Sequence, residues 1–172
     1  MSRSRFSTHP YVHQINVSNG GVPKHPVPEA RITVDGVAGD RQRSPKIHGG
    51  PDRAVCLFSL EVIEALRAEG HSIAPGSSGE NLTLAGLDWA RLKPGDRLGI
   101  GETVRLEMVS YTAPCQNNAA WFKDGNFTRI SHKRYPGWSR LYARVLTEGI
   151  VKQGHEVQVE VKVKVKTEGE GK

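Results

Sequence analysis

The chain has 172 residues, with 24 Lys and Arg against 18 Asp and Glu, a net charge of +6, and only two cysteines. That length fits one domain around one hydrophobic core. No apolar run approaches the ~20 residues of a membrane span, no apolar segment follows the basic start as in a secretory signal, and two distant thiols make no disulfide framework. A cytoplasmic, reduced setting is expected. The positive charge is dispersed, apart from a ladder at Lys162, Lys164 and Lys166, so a small anionic ligand is the expected partner. A nucleic-acid surface, which calls for a dense basic patch with interleaved aromatics, ranks well below it.

The pattern predicts a mainly β chain with a few short helices, because 19 glycines and 10 prolines punctuate short alternating apolar runs. Residues 1–11 read as a tail, 12–166 as a single domain and 167–172 as a second tail. Val12 to Val17 is the first strand, and the Gly20–Pro26 loop after it brings naked backbone and Lys24 to one edge. Ala30 to Val34 is a second strand, turned at Asp35-Gly36. Lys46-Ile47-His48-Gly49-Gly50-Pro51-Asp52-Arg53 then gathers charged side chains around paired glycines. Such residues are poor core material when unpaired and make a good anion-facing wall. No second His or Cys stands at ligand spacing from His48, which argues against a divalent-metal site.

Ala54 to Phe58 is a continuous apolar run, read as a buried strand that makes Cys56 a structural thiol. Ser59 caps a predicted helix over Leu60–Ala68, with Ile63 and Leu66 on its apolar side and Gly70 as its stop. Gly79-Glu80-Asn81 sets a carboxylate and an amide directly before a strand at Leu82–Leu84. A longer strand is predicted from Ile100 to Val109. It delivers Ser110-Tyr111-Thr112-Ala113-Pro114-Cys115-Gln116-Asn117-Asn118, in which a short Asn-capped helix starts just after Cys115. A thiol at a strand-to-helix turn meets backbone donors that favour its ionised form and bound anions. Lys123 to Arg134 is irregular and basic. Leu141 to Leu146 is a strand with Tyr142 and Arg144 on one face, and Val157 to Val165 closes the fold with a valine face.

In order along the chain, Gly21-Val22-Pro23-Lys24, Gly39-Asp40, His48-Gly49-Gly50-Pro51-Asp52-Arg53-Ala54, Gly79-Glu80-Asn81, Pro94-Gly95-Asp96, Pro114-Cys115 and Ala143-Arg144-Val145 together resemble the MOSC domain. That family is named for the C-terminal domain of molybdenum-cofactor sulfurases, and the likeness covers roughly residues 12–160. The resemblance implies a β-barrel-like fold that binds molybdenum cofactor, a molybdopterin, through an essential cysteine. Here that is Cys115, as persulfide carrier in sulfur transfer or as molybdenum ligand. It implies that Lys24, Lys46, Arg53 and Arg144 bind the anionic phosphate, and that His48, Gly49, Gly50, Asp52, Glu80 and Asn81 line or orient the pterin or substrate.

A related activity within the resemblance is molybdenum-dependent reduction of N-hydroxylated bases, fed by a separate electron-transfer protein. The sulfur role instead needs a separate sulfur donor. Pyridoxal phosphate belongs to the fused sulfurase form and is not expected on this chain. Many stand-alone members carry an Arg three residues before the cysteine, where this chain has Thr112.

Overall fold

The computed structural model describes residues 9–41 and 49–160. Eight strands form one mixed sheet in the order β11-β7-β8-β9-β5-β6-β1-β2. In chain order these are β1 (Tyr11–Val17), β2 (His25–Val27), β5 (Val55–Ser59), β6 (Leu82–Ala85), β7 (Arg97–Ile100), β8 (Val104–Tyr111), β9 (Leu141–Thr147) and β11 (Val157–Glu160). A smaller sheet, β10-β3-β4, is made by β10 (Gly149–Lys152), β3 (Glu29–Thr33) and β4 (Gly36–Val37). Among the described strands every ladder is antiparallel except β5 with β6, and the isolated Asn19–Arg41 bridge is also parallel.

The sheet curls far enough for Tyr11, near one end of the strand order, to form an isolated bridge with Glu156 just before β11. Val12 N–H donates to the His155 carbonyl at 2.9 Å and Gly154 N–H to the Val12 carbonyl at 2.8 Å. The expected β-rich class with few helices is present. The described strands form two sheets, and this bridge brings β1 to the approach to β11 within the larger one; among the described residues no continuous ladder closes that sheet into a barrel.

The parallel β5–β6 ladder requires a crossover, and α1 (Leu60–Ala68) supplies it. Its boundaries are those the sequence predicts. Ser59 Oγ accepts from Val62 N–H at 3.2 Å as the N-cap, and Gly70 takes φ +99° past the end. Ile63 and Leu66 are fully buried on the face turned to the sheet. They join Phe58, Leu57, Leu82, Leu84, Leu106 and Ala143 in one continuous core.

The strand read from Ile100 to Val109 is instead a hairpin. Glycine at 101 opens a turn at residues 101–103, so that Ile100 pairs with Val104 and Arg97 with Glu107. The final strand is described to Glu160, and the remainder of the predicted valine face, with Lys162, Lys164 and Lys166, lies outside the described residues.

A buried polar knot ties the loop before β6 to the sheet. Glu80 is fully buried, and its carboxylate accepts from Gly76 N–H at 2.6 Å, Ser78 Oγ at 2.9 Å and Thr83 Oγ at 3.0 Å. Asn16 Nδ2 donates to Thr83 Oγ1 and to the Glu80 carbonyl. Gly76 sits at φ +85°, and a Cβ there would collide with the Lys24 backbone, so only glycine lets this loop lie against the β1–β2 connection.

Burial pushes the Glu80 carboxyl above its ordinary value of 4.5, with its hydrogen bonds pulling the other way.

Two predictions follow from this packing. Ile63→Ala or Leu66→Ala should each cost about 2–5 kcal/mol in urea unfolding, as for buried aliphatic truncations, while leaving thiol labelling of the folded protein unchanged. Glu80 binds its proton more tightly folded than unfolded, so its contribution to stability falls as pH rises from its ordinary value through its folded one. Glu80→Gln removes that titration. Urea midpoints compared from pH 4 to 8 should therefore shift in the variant's favour as pH rises, and a pH-independent difference would contradict the assignment.

Candidate functional site

The face shared by β5, β9 and β8 positions the site. Cys56 lies opposite Tyr142 across the β5–β9 ladder, and Ser110 opposite Tyr142 across β8–β9. Two residues along each chain, Thr112 N–H donates to the Arg140 carbonyl at 2.9 Å. By the two-residue period of a strand, Arg140, Tyr142 and Thr112 then share one face with Cys56. These four side chains form one wall of a cleft. The Gly21–Lys24 and Ser78–Asn81 segments and Cys115 with Asn118 form the rest.

Cys115 is half-buried, and it is the N-cap of a 3₁₀ turn over Gln116–Trp121. The cap is the cysteine itself, where the sequence reading placed an Asn. Asn118 N–H donates to the Cys115 carbonyl at 2.9 Å, and the Cys115 Sγ lies 3.9 Å from Asn118 Oδ1. Asn118 is fully buried, and its Nδ2 donates to the Ser78 carbonyl at 3.1 Å. The thiol's position therefore depends on the Glu80-held loop.

Arg140 was not singled out in the sequence. It is 6% exposed, and its Nη1 donates to the same Ser78 carbonyl at 2.6 Å. Its Nη2 makes longer contacts, 3.4 Å to Asn118 Oδ1 and 3.5 Å to the Ala113 carbonyl. The Nε is buried without a hydrogen-bond partner. Ser139 Oγ, donating to the Thr112 carbonyl at 3.1 Å, and Trp89 Nε1, donating to the Ser139 carbonyl at 2.8 Å, fix the backbone that carries it.

The other predicted residues divide. Lys24 lines the cleft, and its ammonium is bound to Asp40 Oδ1 at 2.6 Å in a nearly fully buried ion pair. Asp40 also accepts from Ser18 N–H and from Asn81 Nδ2. Asn81 lines the cleft too, and its Oδ1 accepts from Cys56 N–H at 3.0 Å.

Glu80 sits behind the loop, engaged in the knot described above. Asp52, in the 3₁₀ turn Pro51–Arg53, pairs with Arg144 at 3.2 Å, and Arg144 also approaches Glu107 at 3.7 Å. That cluster does not line the cleft, nor do Gly49 and Gly50. Arg53 lies over the ring of Tyr142, which lines the cleft, with its guanidinium carbon 5.5 Å from the centroid. Lys46 and His48 lie outside the described residues. Of the expected basic residues Lys24 lines the cleft, held to Asp40, and the guanidinium among the described lining residues is that of Arg140.

The two thiols differ in solvation. Cys56 is buried, and burial pushes its pKa up. Arg140, the Thr112 hydroxyl 3.8 Å from its Sγ, and Lys24 oppose that rise, while Glu80 adds to it. The Tyr142 phenol is pushed up to about 12 by burial and then by Cys56, so it keeps its proton throughout the neutral range. The cleft thus combines a half-exposed thiol, a buried thiol, a protonated phenol and a guanidinium with spare donors.

A family model for the MOSC domain matches residues 44–158, which include both cysteines and Arg140. Over 141 residues the chain is 30% identical to the uncharacterized protein YflK of Bacillus subtilis strain 168, covering 81% of this chain and 62% of that one. Over 92 residues it is 34% identical to protein YiiM of Escherichia coli strain K12, covering 51% of this chain and 40% of that one. The chain therefore spans less than two thirds of the length of either curated relative. It matches the crystal structure of YiiM from Geobacillus stearothermophilus with a TM-score of 0.67 at 23% identity, covering 88% of this chain and 75% of that one, which is a likeness of fold. With the family match running through Cys56, Thr112, Cys115, Arg140 and Tyr142 of the cleft, the chain belongs to the MOSC domain family.

Proposed function

We propose that this protein binds molybdenum cofactor in the Cys115 cleft and acts in sulfur transfer or cofactor handling through that thiol. The observation that carries the reading is the pairing, in one cleft, of a half-exposed cysteine with a buried guanidinium whose Nε lacks a partner. A soft thiolate suits molybdenum or sulfane sulfur, and spare guanidinium donors suit an anionic group, so the residues fit the cofactor associated with this family. When bound, the cofactor would supply a dithiolene-held molybdenum centre and a phosphate.

The chain's own residues have distinct parts in this reading. Cys115 is the molybdenum ligand or the sulfur carrier. Tyr142 presents a phenolic O–H that stays protonated at neutral pH, and Asn81 fixes the polar edge of the wall through Asp40 and Cys56. Cys56, beside Thr112 and Tyr142, is the buried thiol that keeps its proton. The Lys24–Asp40 pair adds no net charge to the cleft, because each ion neutralises the other.

Protein purified from a host that makes the cofactor should contain molybdenum and pterin near one equivalent by elemental analysis and mass spectrometry. Cys115→Ser should lower that content by about tenfold or more, since an alcohol oxygen is a much poorer soft ligand than a thiolate. In cofactor-free protein at pH 7, a short alkylation pulse read by peptide mass mapping should label Cys115 well ahead of Cys56, and bound cofactor should protect Cys115. Wild-type protein without metal and pterin, or equal labelling of the two thiols, would overturn the reading. Turnover of hydroxylaminopurine by loaded protein with an electron donor would move the assignment to reduction of N-hydroxylated bases.

A further inference from the structure

We infer that Arg140 is an oxyanion receptor, whose Nε and Nη2 edge takes two oxygens of a tetrahedral oxyanion placed beside Cys115. The guanidinium is 6% exposed. Among the described residues no carboxylate forms an ion pair with it, although each of the other two charged side chains on this cleft, Lys24 and Asp40, has the other as partner. A buried cation left with neutral acceptors alone is costly to desolvate unless something else balances it.

Its five N–H groups are unevenly used. Nη1 is committed to the Ser78 carbonyl at 2.6 Å. The opposite edge is poorly served: Nε has no partner, and Nη2 reaches Asn118 Oδ1 and the Ala113 carbonyl only at 3.4 and 3.5 Å. That Nε/Nη2 edge is the side-on fork with which arginine binds two oxygens of one anion. Ala113 and Asn118 both line the cleft with Cys115, so an anion on this edge lies against the thiol's own turn.

Thr112 and Arg140 are joined main chain to main chain at 2.9 Å where the β8–β9 ladder ends, so side chains at the two positions start from the same level of the cleft. The Thr112 hydroxyl itself lies 3.8 Å from the Cys56 Sγ. The shared chemistry is a tetrahedral oxyanion, whether a phosphate group or a metal oxyanion of the molybdate kind.

The inference concerns the cleft with or without the cofactor reading, and its test uses inorganic anions on the full chain. Calorimetric titration of anion-free protein with phosphate, molybdate and tungstate should show one saturable site. Arg140→Gln should abolish it, Arg140→Lys should weaken it by about tenfold because the fork is lost while the charge remains, and Arg144→Gln should leave it unchanged. Thr112→Arg combined with Arg140→Gln should restore binding, and thermal unfolding checks that each variant is folded.

Preference for phosphate points to a phosphate group as the natural ligand. Preference for molybdate or tungstate, lost in Cys115→Ser, points to a metal oxyanion; either result supports the receptor. No binding by wild-type protein at millimolar anion, or wild-type binding by folded Arg140→Gln, would overturn it. Pterin retained by protein that binds no oxyanion would sink this inference alone, and oxyanion binding by protein that never acquires pterin would sink the cofactor reading alone.

Discussion

The carbonyl of Ser78 is the acceptor on which the cleft depends. It receives Arg140 Nη1 at 2.6 Å and Asn118 Nδ2 at 3.1 Å, and so ties the start of β9 to the turn capped by Cys115. The carbonyl is fixed because Glu80 holds its loop from inside, through Gly76, Ser78 and Thr83. Glycine at 76 then lets the loop lie against Lys24, whose N–H donates to the Gly76 carbonyl. A change at Glu80 is therefore transmitted through one loop to both the thiol and the guanidinium, though Glu80 itself touches neither.

Two buried cations are stabilised in different ways within this small space. Lys24 has a carboxylate at 2.6 Å, and that carboxylate is further satisfied by Ser18 N–H and Asn81. A closed arrangement of this kind is compatible with burial because charge and hydrogen-bond capacity are both met. Arg140 has carbonyl and amide oxygens only. Carbonyl dipoles offset part of its desolvation and leave its net charge in place, so among the described residues lining the cleft Arg140 carries the unbalanced charge. Lys24 serves to fix Asp40, and through it Asn81 and β1.

Local patterns carried most of what was legible in the sequence. The helix Leu60–Ala68 is marked by its Ser cap, its apolar spacing and its Gly stop, and these act within one or two turns of chain. The strand-to-turn position of Cys115 is equally local, with alternation up to Met108, a proline before the thiol and helix-starting residues after it.

Pairing between distant segments was not legible. Glycine at 101 splits a run that alternates well enough to pass as one strand. Lys24 reads as a free cation until Asp40 is brought to it. The resemblance assigns anion binding to Arg144, which the alternation of β9 places on one face with Tyr142. Arg140 lies two period-2 steps earlier on the same face, just outside the strand, and extending the face past Leu141 was the signal that would have found it.

The two cysteines show how far neighbours, and not residue type, set a thiol's role. Both line the cleft, and their contexts in the sequence match their difference in burial: one in a continuous apolar strand, the other at a turn with polar neighbours. Burial, with a smaller contribution from Glu80, raises the Cys56 pKa against Arg140, Thr112 and Lys24, which act at a distance or through one weak sulfur contact. Cys115 has backbone and amide groups beside it and an opening to solvent. Tyr142, directly across the ladder from Cys56, is held protonated by the same lack of water. The wall formed by Cys56 and Tyr142 therefore stays neutral in the neutral range, and among the described residues that line the cleft the charge left without a counter-charge is that of Arg140.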